Sequence, residues 1–207
     1  IVIEMECSEE DENDTLPKGL FWRKSEDESV DYFGAEYKFI RPLHGNDVVE
    51  SVDQLVEHMH FMNAKVKNVD AGFHLHLNFG NQTPDDAINF IDAVSGLYPI
   101  LLQHVSKERH NNQYCARYRT KITGTDTKFK PSQYIKHCWP GIDSSRLFMW
   151  DRYYWIHPYN MAGHKKTVEI RLHHSTKKRD KILTWVELWS QLADSFQQNK
   201  FTEINSQ

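Results

Sequence analysis

The sequence predicts an α+β fold, with a largely antiparallel sheet and flanking helices. Three segments, which begin at Ile1, Ala71 and Thr167, alternate apolar and polar residues with the two-residue period of a half-buried strand. Segments with the helical spacing of apolar residues lie between them, and the sequence contains no glycine-rich phosphate loop of a parallel βαβ unit. The 207 residues, 39% hydrophobic and 26% charged, have the composition of a globular protein, and we expect a single domain over 1–207.

The first half of the chain is predicted to contain two strands and a helix. The first strand covers residues 1–7, and an acidic loop with an irregular, mobile connection follows to about residue 30. A second strand over 35–41 places Glu36 on one face. Asn46 is predicted to cap a helix that runs to about residue 63, because apolar residues recur there at helical spacing.

The second half begins with the strand over 71–79 and continues with a helix to about residue 105. This helix has a strong start signal, since the Thr83 hydroxyl can cap it and Pro84 suits its first turn. The elements predicted after it are a short helix at 131–137, an extended segment at 147–156, a strand at 167–174 and a final helix capped near Ser175 or Thr176.

Charge and cysteine content exclude several classes of protein. The net charge of −4 argues against a dedicated nucleic-acid binder, although the basic stretch 109–130 could contact phosphate or lie in a solvated loop. The three cysteines show no C-x-x-C spacing, which indicates a reducing compartment, so we expect a cytoplasmic protein. Cys115 has no activating partner in the sequence and is expected to be a buried, inert thiol. No apolar run has membrane-spanning length, so no membrane partner is expected.

Two of the alternating strands carry pairs of side chains that can bind metal ions. Glu4 and Glu6 lie on the same face of the first strand, about 7 Å apart. Hard divalent cations are the usual occupants of such clustered carboxylates. His74 and His76 share the polar face of the strand at 71–79. Considered alone, either pair is more often a polar strand face without a metal ion.

The strand at 167–174 is predicted to carry Glu169, Arg171 and His173 side by side on its polar face, because Val168, Ile170 and Leu172 alternate with them. A fixed guanidinium fork matches the geometry of a phosphate or a carboxylate. Alone, the pattern is also that of a surface salt bridge.

Together, E-x-E at the start, G-F-H-x-H in the middle and T-V-E-x-R near the end resemble the amidoligase family, a branch of the carboxylate–amine ligases related to glutamine synthetase and glutamate–cysteine ligase. The resemblance extends over most of the chain. Its most specific part is T-V-E-I-R-L-H-H-S-T with the tryptophan-bearing helix that follows. The resemblance implies a glutamine-synthetase-like catalytic domain, in which an antiparallel sheet curves around a nucleotide and divalent cations.

Carried over residue by residue, the resemblance implies two ion sites. Glu4 and Glu6 hold separate Mg²⁺ or Mn²⁺ ions, with His74 and Glu169 sharing the ion of Glu4, and Glu36 completing the ion of Glu6.

The same resemblance implies the groups that contact substrate and ATP. Arg171 faces the acyl phosphate or the substrate carboxylate and, with Glu169, is the expected catalytic residue. Arg109 and Arg152 are expected to contact phosphate or substrate. His76 matches the family pattern less closely and is expected to support a ligand rather than to bind the ion.

These expectations imply an ATP- and Mg²⁺-dependent ligase that joins a carboxylate substrate to an amine substrate through an acyl phosphate. Two alternatives stay open at this point. One is a metal-dependent hydrolase or oxygenase that uses His74, His76 and Glu169. The other is a non-catalytic nucleotide- or peptide-binding module with the same fold. The sequence does not specify which acid and amine are joined, and a homo-oligomer stays open.

Overall fold

A computed structural model describes residues 1–8, 21–26, 34–66, 71–79, 81–110, 112–117, 131–132, 135, 153–161 and 165–198. Its strands are β1 (Val2–Ser8), β2 (Trp22–Glu26), β3 (Gly34–Phe39), β4 (Gly72–Asn78), β5 (Ile156–His157) and β6 (Thr167–His174). They form one six-stranded sheet in the order β2-β3-β1-β4-β6-β5, and every neighbouring pair is antiparallel. The predicted α+β class with an antiparallel sheet is therefore confirmed.

Four α-helices accompany the sheet in the described part of the chain. They are α1 (Asn46–Phe61), α2 (Pro84–Ser95), α3 (Tyr98–Leu101) and α4 (Arg179–Gln197). No helix among the described residues is both long and apolar enough to span a membrane.

The apolar residues of the sheet and the helices form one core. Ile3 and Met5 of β1 and Leu75 of β4 are fully buried, as is Trp189 of α4, which packs edge-on against Phe90 of α2. Because side chains alternate along a strand, the residues between these apolar positions point to the opposite face. The polar residues of β1, β4 and β6 therefore share the face that the helices do not fill.

One strand of the sheet was absent from the sequence prediction. Residues 22–26 form β2 at the edge of the sheet, so the prediction of an irregular connection up to residue 30 is wrong at these residues. Trp22 is the only strongly apolar residue of β2, and its indole Nε1 donates to the Ser51 carbonyl at 2.8 Å. An edge strand with one buried side chain has no alternating apolar pattern to detect.

The helix that starts after Thr83 is shorter than predicted. Its start is as expected, because the Thr83 hydroxyl accepts from the Asp86 backbone N–H and the Asp86 carboxylate accepts from the Thr83 N–H. However, α2 ends at Ser95 and does not continue to residue 105. Pro99 lacks the N–H that a continuous helix needs, so the chain starts the separate turn α3.

In two other helices, the N-cap residue differs from the predicted one. The N-cap of α1 is Gly45, which has φ 55°, and Asn46 is the first helical residue. The final helix begins at Arg179, and its N-cap Lys178 makes no side-chain capping bond. The Thr176 hydroxyl instead accepts from the Lys178 N–H and organises the turn before the helix.

A bulge in β6 changes the direction of its last side chains. The register between β4 and β6 jumps at His74, where β6 contributes two residues against one. His173 is predicted to lie beside Arg171 on the polar face, and this is wrong. Its ring packs instead against Phe73 and Trp185, with centroids 5.8 and 5.0 Å away.

Several predictions fall outside the described residues. They are the acidic loop beyond Ser8, the basic stretch after Arg117, the extended segment before Tyr153, and Arg152. Of the predicted helix at 131–137, the described residues Pro131, Ser132 and Ile135 are helical.

Candidate metal centre and active site

The register of the sheet brings the polar residues of four strands together. Glu4 of β1 lies opposite His74 of β4 on one side and opposite Lys38 of β3 on the other. The neighbouring pairs extend the same polar face, with Glu6 opposite Glu36 and His76 opposite Glu169. We call these residues the carboxylate–histidine cluster: Glu4, Glu6, Glu36, His74, His76 and Glu169.

His74 lies at the centre of the cluster, and its side chain is 3% exposed. Its Nδ1 is 3.9 Å from Glu4 and 3.8 Å from Glu169, while its Nε2 is 3.5 Å from Glu6. Neither ring nitrogen has a hydrogen-bond partner within the described part of the chain. An imidazole aimed at several carboxylates without bonding to them has the disposition of a metal ligand, since a cation between them would satisfy all these groups.

His76 is oriented by bonds to its other ring nitrogen. Its Nδ1 lies 3.2 Å from the Thr167 hydroxyl and 3.3 Å from the Asn160 side-chain amide. Its Nε2 points at Glu4 and Glu169, at 3.1 and 3.9 Å, with no hydrogen bond of acceptable geometry among the described residues. When Nδ1 carries the proton and donates it to the Thr167 hydroxyl, the Asn160 amide donates to Glu169 and not to the ring, and the lone pair of Nε2 faces the two carboxylates.

Among the described residues, two sets of three ligand atoms are close enough to hold an ion. In each set, the candidate atoms lie within 4.8 Å of one another. The sets are Glu4, Glu36 and His74, and Glu4, His76 and Glu169. Glu4 belongs to both, so it is placed to bridge two neighbouring cation positions.

Glu169 is surrounded by groups that stabilise its negative charge. Arg171 donates to it at 2.7 Å, the Asn160 amide donates at 3.1 Å, and His157 Nε2 lies 3.4 Å away. Burial by itself would raise the pKa of Glu169, but His157, His76 and Arg171 lower it well below its usual range. Glu169 is therefore an anion in the buried site and can bind a cation.

Arg171 is fixed in one orientation. In addition to its bond to Glu169, its Nε donates to the Tyr114 carbonyl at 3.0 Å, and its guanidinium lies 5.7 Å from the centroid of the Tyr153 ring. Its side chain is 12% exposed. This leaves Arg171 on the polar face as a fixed positive group beside the cluster.

Lys38 connects the two carboxylates on the β3 side of the cluster. Its Nζ lies 2.8 Å from Glu4 and 3.0 Å from Glu36. Burial by itself would lower the pKa of Lys38, but Glu4 and Glu36 raise it. Burial raises the pKa of Glu36, and the negative charge of Glu4 raises it further. Burial would also raise the pKa of Glu4, but the imidazoles of His74 and His76 outweigh burial and lower it.

The surroundings of Gly72 explain why the G-F-H-x-H motif begins with a glycine. Its backbone N–H donates to the Glu6 carboxylate at 2.6 Å. A Cβ at this position would lie 2.5 Å from His74 Nε2 and 3.1 Å from the Glu6 oxygen. Residue 72 must therefore lack a side chain if Glu6 and His74 are to lie this close together.

Arg109 lies against the backbone of β6 and not among the carboxylates. Its guanidinium is buried and donates to the carbonyls of Arg171 and Leu172, at 2.6 and 3.4 Å. Its contact with phosphate or substrate stays a prediction. Cys115 is buried, and burial raises the pKa of its thiol, which is the environment of an unreactive cysteine.

Three residues of the site were not singled out from the sequence as functional. Lys38 shares the face of Glu36 two positions away, so the strand pattern contained a signal for it. His157 lies in a two-residue strand, and Asn160 lies in the turn that follows it. Neither has a periodic pattern around it, so only the fold could place them beside Glu169.

A cavity of about 370 Å³ opens next to the cluster at Glu4 and His76. Four basic side chains line it: Arg23 of β2, Lys38 of β3, and Arg41 and Lys165, which lie outside the strands. Phe39, Ile40 and Pro42 give it an apolar wall. The cavity therefore combines a cationic lining with an apolar surface, next to the candidate metal ligands.

The chain matches a family model over most of its length. A family model described as "Putative amidoligase enzyme" matches residues 39–193, which include His74, Glu169 and Arg171. No curated protein and no solved structure shows a significant match to the chain. Because the family model covers about three quarters of the sequence, the chain belongs to the amidoligase family of enzymes.

Proposed function

We propose that the protein is an ATP- and Mg²⁺-dependent ligase that joins a carboxylate to an amine through an acyl phosphate. The observation that carries this proposal is the carboxylate–histidine cluster, in which two sets of ligand atoms share Glu4 on one buried sheet face. Carboxylate oxygens with one imidazole per set suit Mg²⁺ or Mn²⁺ better than softer metals. The predicted ligands Glu4, Glu36, His74 and Glu169 are members of these two sets, although they are grouped differently from the expectation, and Glu6 lies beside His74 outside both sets.

The cavity beside Glu4 supports the nucleotide part of the proposal. Its basic residues could neutralise a triphosphate, and its apolar wall at Phe39 and Pro42 could take a flat base. Divalent cations held at the Glu4 end would bind the phosphates, which is the usual association of Mg²⁺ with ATP. We further propose that this sheet is the counterpart of the glutamine synthetase catalytic domain.

The proposed reaction makes an unreactive carboxylate reactive. An oxygen of the substrate carboxylate attacks the γ-phosphorus of ATP, and the bond to the β-γ bridging oxygen breaks and releases ADP. The amine nitrogen then attacks the carbonyl carbon of the acyl phosphate. Inorganic phosphate leaves, and the nitrogen loses a proton as the amide forms. Arg171 would stabilise the negative charge on the transferring group, and the reaction needs no side-chain nucleophile.

The experiment that tests the proposal is Mg²⁺-dependent ADP release with pools of carboxylic acids and amines. We expect ADP release that requires a member of each pool, and a loss of at least about 100-fold in Glu169→Gln. Glu187→Gln is the matched control, because it is the same substitution at an exposed position of α4.

Two results would contradict the ligase. One is the absence of ADP release with every pool together with the absence of a thermal shift by ATP and Mg²⁺. The other is ATP binding that is equal in Glu169→Gln and the parent, with no turnover in either, which is the behaviour of a binding module.

A further inference from the structure

A lysine at the cluster end of the cavity has an ammonium group that is open to a ligand. Lys165 Nζ lies 3.8 Å from Oε1 of Glu4, and its side chain is 57% exposed. This distance is that of an ion pair, but it is longer than the roughly 2.7–3.2 Å of a hydrogen bond. Lys165 also lines the cavity, so its N–H donors can bind a negatively charged group there.

The other three basic residues of the cavity lining are less well placed at this end. Lys38 is only 15% exposed and is held by two carboxylates. Arg41 pairs with Asp47 at 3.8 Å. Arg23 belongs to the edge strand β2, which β3 separates from β1. Of the four basic residues that line the cavity, Lys165 therefore combines an exposed ammonium with a position beside the cluster.

The next residue, Lys166, has a backbone conformation that is uncommon for a residue with a side chain. Its φ is 48°, in the left-handed region, where the Cβ crowds the following carbonyl oxygen. Two backbone hydrogen bonds hold it there. Its N–H donates to the Asn160 carbonyl at 3.1 Å, and its carbonyl accepts from the Phe79 N–H at 2.8 Å. The turn before β6 is therefore fixed, and with it the place from which Lys165 reaches toward the cluster.

We propose that Lys165 binds the terminal phosphate of the nucleoside triphosphate, and that the left-handed turn at Lys166 positions it. The inference rests on the proposed function, in which the base lies against Phe39 and Pro42 and the divalent cations lie at Glu4. The phosphate chain then runs toward Glu4, so its last phosphate is the one nearest to Lys165. The ammonium would donate to an oxygen of this phosphate and balance the negative charge of the phosphoryl group during transfer.

A contact with the terminal phosphate can be tested with ADP, which lacks that group. The test is isothermal titration calorimetry, in the presence of Mg²⁺, of ADP and of the non-hydrolysable β,γ-imido analogue of ATP. Lys165→Met should weaken binding of the analogue by at least about tenfold, through loss of a charge-assisted hydrogen bond. It should weaken ADP by less than about threefold, because only a screened charge is lost. Lys181→Met is the matched control at an exposed position of α4 and should bind both ligands like the parent.

Two variants of Lys166 separate its backbone conformation from its charge, since both remove the ammonium. Lys166→Gly should bind the analogue like the parent, because glycine adopts a positive φ readily. Lys166→Val should weaken the analogue about as much as Lys165→Met, because a branched Cβ disfavours this region. Asn63→Val is the matched control, since Asn63 also has a positive φ, of 49°, beyond the end of α1, and it should bind like the parent.

Circular dichroism of each variant checks that it is folded, and Lys165→Met remains decisive if Lys166→Val does not fold. Parental binding of the analogue by Lys165→Met, or equal losses for the analogue and ADP, would overturn the contact with the terminal phosphate. Parental binding by folded Lys166→Val, or equal losses in Lys166→Val and Lys166→Gly, would overturn the positioning role of the turn. If the parent binds neither ligand, the nucleotide dependence of the proposed function is overturned instead.

Discussion

Replacement of Gly72 by alanine should disrupt the cluster without removing any of its ligands. The new Cβ would lie 2.5 Å from His74 Nε2, and ordinary contact begins at 3.4 Å, so the ring must move by about 0.9 Å (3.4 − 2.5). His74 is buried on the sheet, so it has little room for this shift. Displacement of an active-site group by about 1 Å can cost about 100-fold in rate.

Two quantities should therefore change in Gly72→Ala. We expect Mn²⁺ affinity, or the rate of Mg²⁺-dependent ADP release, to fall by about 10- to 100-fold. We also expect the free energy of unfolding to decrease by about 1–3 kcal/mol, which is the usual cost of overpacking a buried position. Urea unfolding followed by circular dichroism measures the second quantity separately from the first.

Gly96→Ala is the matched control for this change. A Cβ at Gly96 meets nothing within 4 Å, and its φ of −64° suits any residue. The control should keep full metal affinity and gain about 0.4–1 kcal/mol of stability through the unfolded state. Parental metal affinity and parental activity in Gly72→Ala would refute the reasoning, because His74 would then not need the position that the structure gives it.

Three other predictions concern the support of the cluster and the fold. Thr167→Val removes the hydroxyl at Nδ1 of His76 and should reduce Mn²⁺ affinity by about 10- to 100-fold, whereas Thr167→Ser should retain it. Burial lowers the pKa of His173 from 6.5 to about 3, so the unfolded chain binds an extra proton between these values, and stability falls as the pH falls below 6.5. The parent should lose about 2 kcal/mol more than His173→Gln between pH 7 and pH 5 in urea unfolding, and equal losses would contradict this. Thr83→Ala should lower the free energy of unfolding by about 1 kcal/mol by the same assay, because it removes the cap of α2, and an unchanged value would show that the cap contributes nothing.

The strand pattern predicted much of the site's composition. Glu4, His74 and Glu169 each lie on the polar face of an alternating strand, and the structure places all three on one face of one sheet. The period of a strand is a local property, so each face could be read from a few neighbouring residues. The Thr83 cap of α2 was predictable for the same reason, because its partner Asp86 is three residues away.

Long-range packing decided the features that the pattern missed. The bulge in β6 directs His173 into the apolar core, because β6 contributes two residues opposite the single residue His74 of β4. Such a shift depends on how two distant strands fit together and leaves no mark in the alternation of either one.

The sequence by itself therefore determined which side chains leave each strand on the polar face, since that depends only on alternation along the chain. Tertiary structure decided which of them meet, and it brought Lys38 between Glu4 and Glu36 and His157 beside Glu169. These contacts depend on strand order and register, which are fixed by the burial of a shared core among segments far apart in sequence.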